Sequence, residues 1–149
     1  MRVSDETRYG FRPAQSSDLD WLVRLRMETI AEHLKAAGES LSVEDHSRRV
    51  LDNFASIRIV TSGDGDIGML KVVHETDRWR LVQMQLLPDC QRRGIGASIL
   101  HDLLAEARRQ RIPVTLSVLK ANPARELYDR LGFRVVTENE HAYEMRIDT

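Results

Sequence analysis

Apolar and polar positions along this chain follow two periods, and the switches between them mark the predicted elements. Residues 9–14 alternate and read as a first strand, with Pro13 at its end or on a sheet edge. Leu19, Leu22, Val23, Arg26, Met27, Ile30 and Leu34 then recur at spacings of three and four. That is an amphipathic helix, capped by Ser16, Ser17 and Asp18 and stopped by Gly38. A second helix starts at Ser42, which makes a near capping box with Asp45 and precedes the apolar positions Val43, Val50, Leu51 and Phe54. Residues 57–61 are β-branched, 62–66 are turn formers, and 67–74 read as a strand. A polar turn at 75–77 leads to a third run, 79–87, ended by Pro88. Tight turns between these three runs predict an antiparallel meander. The period then returns to helical over 94–109, with Ile95, Ile99, Leu103 and Ala107 four apart. A strand at 113–119 follows, then a helix at 122–131 with Asn122 as cap, Pro123 at its first position and Gly132 at its close. Residues 133–137 and 142–147 are the final strands. The order β-α-α-β-β-β-α-β-α-β-β predicts an α+β fold, a mixed sheet with helices on its faces. The β–α–β unit around Gly94 should be a right-handed crossover between parallel strands.

Composition narrows the function classes. A length of 149 residues suits one domain spanning 1–149, able to bury roughly 68–70% of its unfolded surface. Twenty-two Lys and Arg against 23 Asp and Glu leave a net charge of −1. That weakens bulk electrostatic binding to nucleic acid or an anionic membrane, and neither is expected as a partner. The single cysteine, Cys90, excludes an internal disulfide and four-Cys zinc sites and favours a reducing compartment. Five scattered histidines lack ligand spacing, so no metal is expected. The chain has no run of 18 apolar residues and its first ten residues lack the apolar stretch of a signal peptide, so the expected setting is the cytoplasm.

Two segments carry candidate chemistry. Gln91-Arg92-Arg93-Gly94-Ile95-Gly96 lies between a predicted strand and helix. Glycines admit close approach to the backbone, the first-turn N–H groups have no internal partners, and two arginines add charge. Such an end binds phosphate, although the same residues could form only a tight turn with solvated arginines. The pattern is neither GxGxxG nor GxxxxGK[ST]. The second segment, Asn122 to Phe133, carries Tyr128, whose phenol could hand over a proton. Equally, Ala124, Leu127, Tyr128 and Leu131 make a core stripe at helical spacing.

Together, Gln-x-x-Gly-x-Gly and, some 30 residues later, Asn-Pro-Ala-x-x-Leu-Tyr-x-x-Leu-Gly-Phe resemble the GCN5-related N-acetyltransferase (GNAT) superfamily. The resemblance implies a mostly antiparallel sheet of about seven strands, splayed between the fourth and fifth and flanked by about four helices. It implies acetyl-CoA as co-substrate and a primary amine as acceptor. The pyrophosphate would sit on the amides of Gln91, Arg92, Arg93, Gly94, Ile95, Gly96 and Ala97. Leu86 and Leu87 would pair with the pantetheine arm, and an N–H near Leu86 would polarise the thioester carbonyl. Asn122 matches the residue contacting the arm, and Tyr128 the general acid. Cys90 stands where relatives often carry an aromatic residue, and suits a small buried thiol.

The acceptor side is less marked. Gln83 and Gln85 share a strand face; in many relatives a carboxylate on this strand serves as the base, a role glutamine cannot fill. Candidate bases are Glu28, Glu32, His33, His74 and His141, or a water chain. The acceptor cleft is expected near Glu28, Glu32, Gln83, Gln85 and His141, and the acidic residues Glu28, Glu32, Glu39, Glu44 and Asp45 around the first two helices would suit a cationic amine. A small-molecule amine is the leading acceptor. The alternatives are a protein N-terminal or lysine amine, or a non-catalytic acyl-CoA sensor. A homodimer is compatible with the sequence.

Overall fold

The computed structural model of the chain describes residues 8–36, 38, 40–63 and 65–149. Glu39 of the acidic group and Asp64 of the turn lie outside them. The described residues form a seven-stranded sheet and four α-helices in the expected order. The strands are β1 (Gly10–Pro13), β2 (Ile57–Ser62), β3 (Gly65–His74), β4 (Trp79–Leu86), β5 (Val114–Leu119), β6 (Arg134–Glu138) and β7 (Ala142–Ile147). The helices are α1 (Leu19–Ala36), α2 (Val43–Leu51), α3 (Ile95–Gln110) and α4 (Ala124–Leu131). In space the strands run β1-β2-β3-β4-β5-β7-β6, and every neighbouring pair is antiparallel except β4 with β5. The parallel pair is the one the β–α–β pattern called for.

Two apolar clusters cover the sheet's two faces. Ile95, Ile99, Leu100 and Leu104 of α3, with Tyr128 and Phe133, pack on Leu70, Trp79, Leu81, Leu116 and Met145. On the other face Leu22, Val23 and Leu25 of α1 and Val50 of α2 pack on Ile57, Ile59 and Met69. Coverage of both faces is why β3 is buried without interruption from Ile67 to Val72.

Three local readings change. The turn before α1 is a 3-10 turn at Ser16–Asp18, and Asp18 accepts the Gln15 N–H at 2.8 Å while holding Arg12, so neither Ser16 nor Ser17 is the cap. In α2, Val43 and Leu51 are exposed and the buried stripe is His46 with Val50. The capping box is formed in full: Ser42 Oγ accepts from Asp45 N–H and the Asp45 carboxylate accepts from Ser42 N–H, both at 3.1 Å. The buried stripe of α3 runs Ile95, Ile99, Leu100, Leu104 and Ala107, with Leu103 at its margin.

The feature that positions the site is a register shift. Lys71 on β3 faces Gln83, yet Val72 faces Leu81, so Val82 is an extra residue on β4. Trp79 and Leu81 before it, and Met84 and Leu86 after it, face α3. Gln83 and Gln85 are thereby turned together toward α1 and α2, and Gln83 Nε2 donates to Arg49 O of α2 at 3.4 Å. Pairing of β4 with β5 stops at Leu81 with Leu116, although both strands continue, so the sheet opens beyond that point.

Candidate active site

The loop between β4 and α3 ends in a helix start with unpaired N–H groups. Pro88–Cys90 form a 3-10 turn that buries Cys90 beneath the loop. Gly94 caps α3 with φ 79°, and Arg92 also lies in the left-handed region at φ 63°. For a residue with a side chain that conformation costs of order 1 kcal/mol, a cost that concentrates at functional sites. The N–H groups of Ile95, Gly96 and Ala97 stand at the helix's positive end without intrahelical acceptors. Gln91 braces the loop, its Nε2 donating to Leu86 O at 3.0 Å.

The edge of β4 that β5 leaves open is polar backbone. Leu87 N–H donates to Ile67 O of β3 at 2.8 Å. Antiparallel alternation therefore turns the N–H groups of Leu86 and Met84 to the other edge, into the opening. A cavity of about 450 Å³ fills that opening. The loop lines it through Gln91, Arg92, Gly94, Gly96 and Ala97, β4 through Met84, Gln85 and Leu86, and α1 through Thr29, Ile30 and His33. The opposite wall is Asn122, Pro123, Leu127, Tyr128 and Arg130. Asn122 Oδ1 accepts the Ala124 N–H at 2.9 Å, the capping bond expected at the start of α4. The Tyr128 ring packs edge-on to Phe133 at 5.8 Å, and among the described residues its hydroxyl has no hydrogen-bond partner. Burial holds the phenol's pKa above the usual tyrosine value, so it carries its proton at neutral pH.

A second cavity of about 270 Å³ adjoins the first, with Ile30 in both walls. Its lining is Arg26, Ile30 and Leu34 of α1, Arg49 of α2, Asp52 just beyond α2, Val82 and Gln83 of β4, and Ser117 and Leu119 of β5. Arg26 is 4% exposed, and its Nε donates to His46 Nδ1 at 3.2 Å. Burial, helped by Arg49, pulls its guanidinium down to about 10. The same burial, with both arginines, holds the His46 imidazole below its usual range. Behind the cavity Lys71 is fully buried and donates to Arg49 O, Val50 O and Asp52 O at 2.5–3.1 Å. Desolvation draws its ammonium down to about 8.

The structure brings Gln91, Arg92, Gly94, Gly96, Ala97, Leu86, Asn122 and Tyr128 around one cavity, with Gln85 beside them and Gln83 in the adjoining one. It sets others apart. The Ile95 side chain is core, Arg93 is exposed away from the cavity, and Leu87 gives its N–H to β3. Glu28 lines a separate recess with Trp21, Arg24 and Leu87, and Glu32 is exposed. His141 sits in the turn before β7, where its N–H donates to Asn139 Oδ1. Sequence reasoning placed Arg49, with Lys35 and Arg48, among the acidic residues of the first helices but gave it no role, and it passed over Lys71, Asp52 and Gly68. A cation inside a β-branched run and a glycine mid-strand were the available signals.

Comparison with known proteins agrees with this geometry. Residues 53–135 match the acetyltransferase (GNAT) domain family. No curated protein matches the sequence. Among solved structures, PaiA N-acetyltransferase from Thermoplasma acidophilum in complex with coenzyme A is similar, at 17% identity and TM-score 0.76, over 95% of this chain and 99% of that one. An acetyltransferase from Thermus thermophilus is 19% identical at TM-score 0.72, over 95% and 97%. A ribosomal-protein alanine N-acetyltransferase from Escherichia coli is 19% identical at TM-score 0.70, over 95% and 94%.

Proposed function

Because this chain belongs to the GNAT acetyltransferase family, we propose that it transfers an acetyl group from acetyl-CoA to the primary amine of a small molecule, in a ternary complex. The observation that carries the reading is the larger cavity. It joins an anion-suited helix start, an unpaired strand edge and a protonated buried phenol, and a second small cavity opens beside it. Those residues fit the co-substrate's chemistry. Arg92 and the amides of Gly94 to Ala97 suit a pyrophosphate, and the open β4 edge suits an amide-bearing arm. When bound, acetyl-CoA supplies a thioester carbonyl; the amine nitrogen bonds to its carbon, the carbon–sulfur bond breaks, and the amine's proton leaves to a base or water.

The chain's own groups then have defined tasks. The Leu86 N–H, facing the opening, donates to the carbonyl oxygen as negative charge gathers there. Tyr128 holds its proton at Oη and delivers it to the departing thiolate sulfur. Asn122 and Gln85 orient polar groups along the cavity. His33 is the imidazole lining the cavity, and it takes the amine's proton directly or through water.

The test is release of free CoA thiol on mixing the protein with acetyl-CoA and a panel of amines, followed across pH for wild type and His33→Gln. Amine-dependent thiol release, with the acidic limb altered in the variant, is the expected result. Calorimetric binding of acetyl-CoA with no thiol release from any amine or peptide N-terminus would instead favour an acyl-CoA sensor.

A further inference from the structure

Resting on the acetyltransferase reading, the inference concerns what the second cavity selects. The acidic groups of the first helices do not line it. Glu32, Glu44 and Glu28 lie elsewhere, and the one carboxylate in its wall, among the described residues, is Asp52. Against that single carboxylate stand two guanidiniums, Arg26 and Arg49, and the Lys71 ammonium lies just behind them. Arg26 has no carboxylate partner among the described residues, and Arg49 feels Asp45 only at longer range, without an ion pair. Arg26 is largely buried; apart from the bond to His46 its N–H groups have no protein acceptor among the described residues, and they are open to the cavity rather than sealed from it. A buried guanidinium next to another cation is costly unless an anion meets it.

A second observation points the opposite way in charge. Gln83 is 6% exposed, its Nε2 is tied to Arg49 O, and its Oε1 is buried with no donor. An unpaired buried acceptor of this kind is costly until an N–H reaches it. Gln83 stands on β4 two residues before Gln85, whose own Oε1 is unpaired at the edge of the larger cavity. The cavity therefore presents unpaired acceptors on β4, toward the larger cavity, and unpaired fork donors on α1 and α2. Ile30, Leu34, Val82 and Leu119 supply apolar wall between them.

We propose that the acceptor is an amine carrying a carboxylate, of amino-acid size. Its carboxylate lies on Arg26 and Arg49, its amine lies toward Gln83 and Gln85, and its apolar part lies against Ile30 and Leu34. Planar guanidinium forks match carboxylate geometry, which is why the anion is assigned as a carboxylate. This reverses the charge preference expected from the acidic residues of the first two helices.

The experiment measures kcat/KM by thiol release for leucine, methionine and lysine, each against its own carboxamide, with cadaverine and spermidine as cationic amines. The expected result is a preference for each amino acid over its carboxamide of more than about tenfold. In Arg49→Gln the ratio falls toward one through KM, with the midpoint of thermal unfolding unchanged. Arg26→Gln should do the same where it folds; Arg49 is exposed, so its variant keeps the test open if Arg26→Gln does not fold. Binding gives an arm independent of turnover: the CoA complex is titrated calorimetrically with N-acetyl-leucine and N-acetyl-leucinamide. Faster turnover of the carboxamides or of cadaverine, or equal binding of the two N-acetyl ligands, overturns the proposal and leaves acetyl transfer standing. Tighter binding of N-acetyl-leucine with no thiol release from any amine supports the carboxylate site and sinks the transfer reading.

Discussion

Tyr128 shows how one side chain meets two demands. Its ring fills the α4 side of the core at 9% exposure, edge-on to Phe133, the residue also lines the larger cavity, and its hydroxyl has no protein partner among the described residues. The two roles separate in Tyr128→Phe. The ring contacts persist and no buried acceptor is orphaned, so the unfolding midpoint should move little and calorimetric affinity for acetyl-CoA should stay within about twofold. Loss of the proton donor should lower turnover by ~10²-fold, the low end for general-acid catalysis, because a thiolate leaves readily. Turnover equal to wild type would return Tyr128 to the core alone. Its dual character was visible in the sequence only as an ambiguity, because helical spacing cannot tell a packed ring from a packed ring whose oxygen meets a cavity. Cys90 was simpler. A small apolar thiol before a tight loop is buried, as its place in the core shows.

At the scale of elements, the site depends on where β4 stands relative to β3. Gly68 sets that distance. A Cβ placed there would meet Gln85 O at 2.4 Å and Leu86 Cδ2 at 2.6 Å, and the first of these is backbone that cannot swing away. Gly68 is thus required by close approach. Gly68→Ala should push β4 outward at Gln85 and Leu86, two of the three β4 residues that line the larger cavity. The expected outcome is a loss of stability of about 1–3 kcal/mol by urea unfolding, as for overpacking, together with weaker acetyl-CoA binding. Wild-type values for both would show that β4 is not held from this side. Gly96 makes a useful contrast, since a Cβ there lies 3.6 Å from Met84 Cε, an ordinary contact. Strand and helix order was legible because each element keeps one period. The shift at Val82 was not, since an added residue leaves the apolar run of β4 looking continuous. Yet that shift is what turns Gln83 and Gln85 toward α1 and α2. The α2 stripe misled for a related reason: His46 occupies a buried position that polarity argued against.

Across the whole molecule, Lys71 joins the sheet to the end of α2, one of the helices that wall the second cavity. Its ammonium, from the middle of β3, takes the carbonyls of Arg49, Val50 and Asp52, where α2 ends and its last C=O groups lack helical partners. Three acceptors need three N–H donors, so the charged form is the one that fits, and it persists at pH 7 because the pKa, though drawn down by burial, is about 8. The sequence offered a lysine within a buried strand and no means of saying which helix end it would find, since that contact crosses 19 to 22 residues and depends on the packing of α2. The pH dependence follows from the direction of the shift. In the unfolded chain Lys71 keeps its proton up to about 10.4; in the folded chain it loses it near 8. Between those values the unfolded state binds more protons, so stability rises with pH through the window and is lowest, for this group, below about 8. Tyr9, raised to about 12, and Tyr128, raised by burial, act with the opposite sign only above about 10, and Arg26, drawn down to about 10, adds to the rise only near the top, so the window to read is pH 8 to 10 with the Lys71 slope in its lower half. Urea unfolding across that range should show the free energy climbing by on the order of 2 kcal/mol. Lys71→Met should be less stable at pH 7, because three carbonyls lose their donor, and its free energy should stay nearly flat from pH 8 to about 9, rising only toward pH 10 as Arg26 begins to lose its proton. A variant that keeps the wild-type slope would assign the titration to another group and leave the end of α2 held by its packing alone.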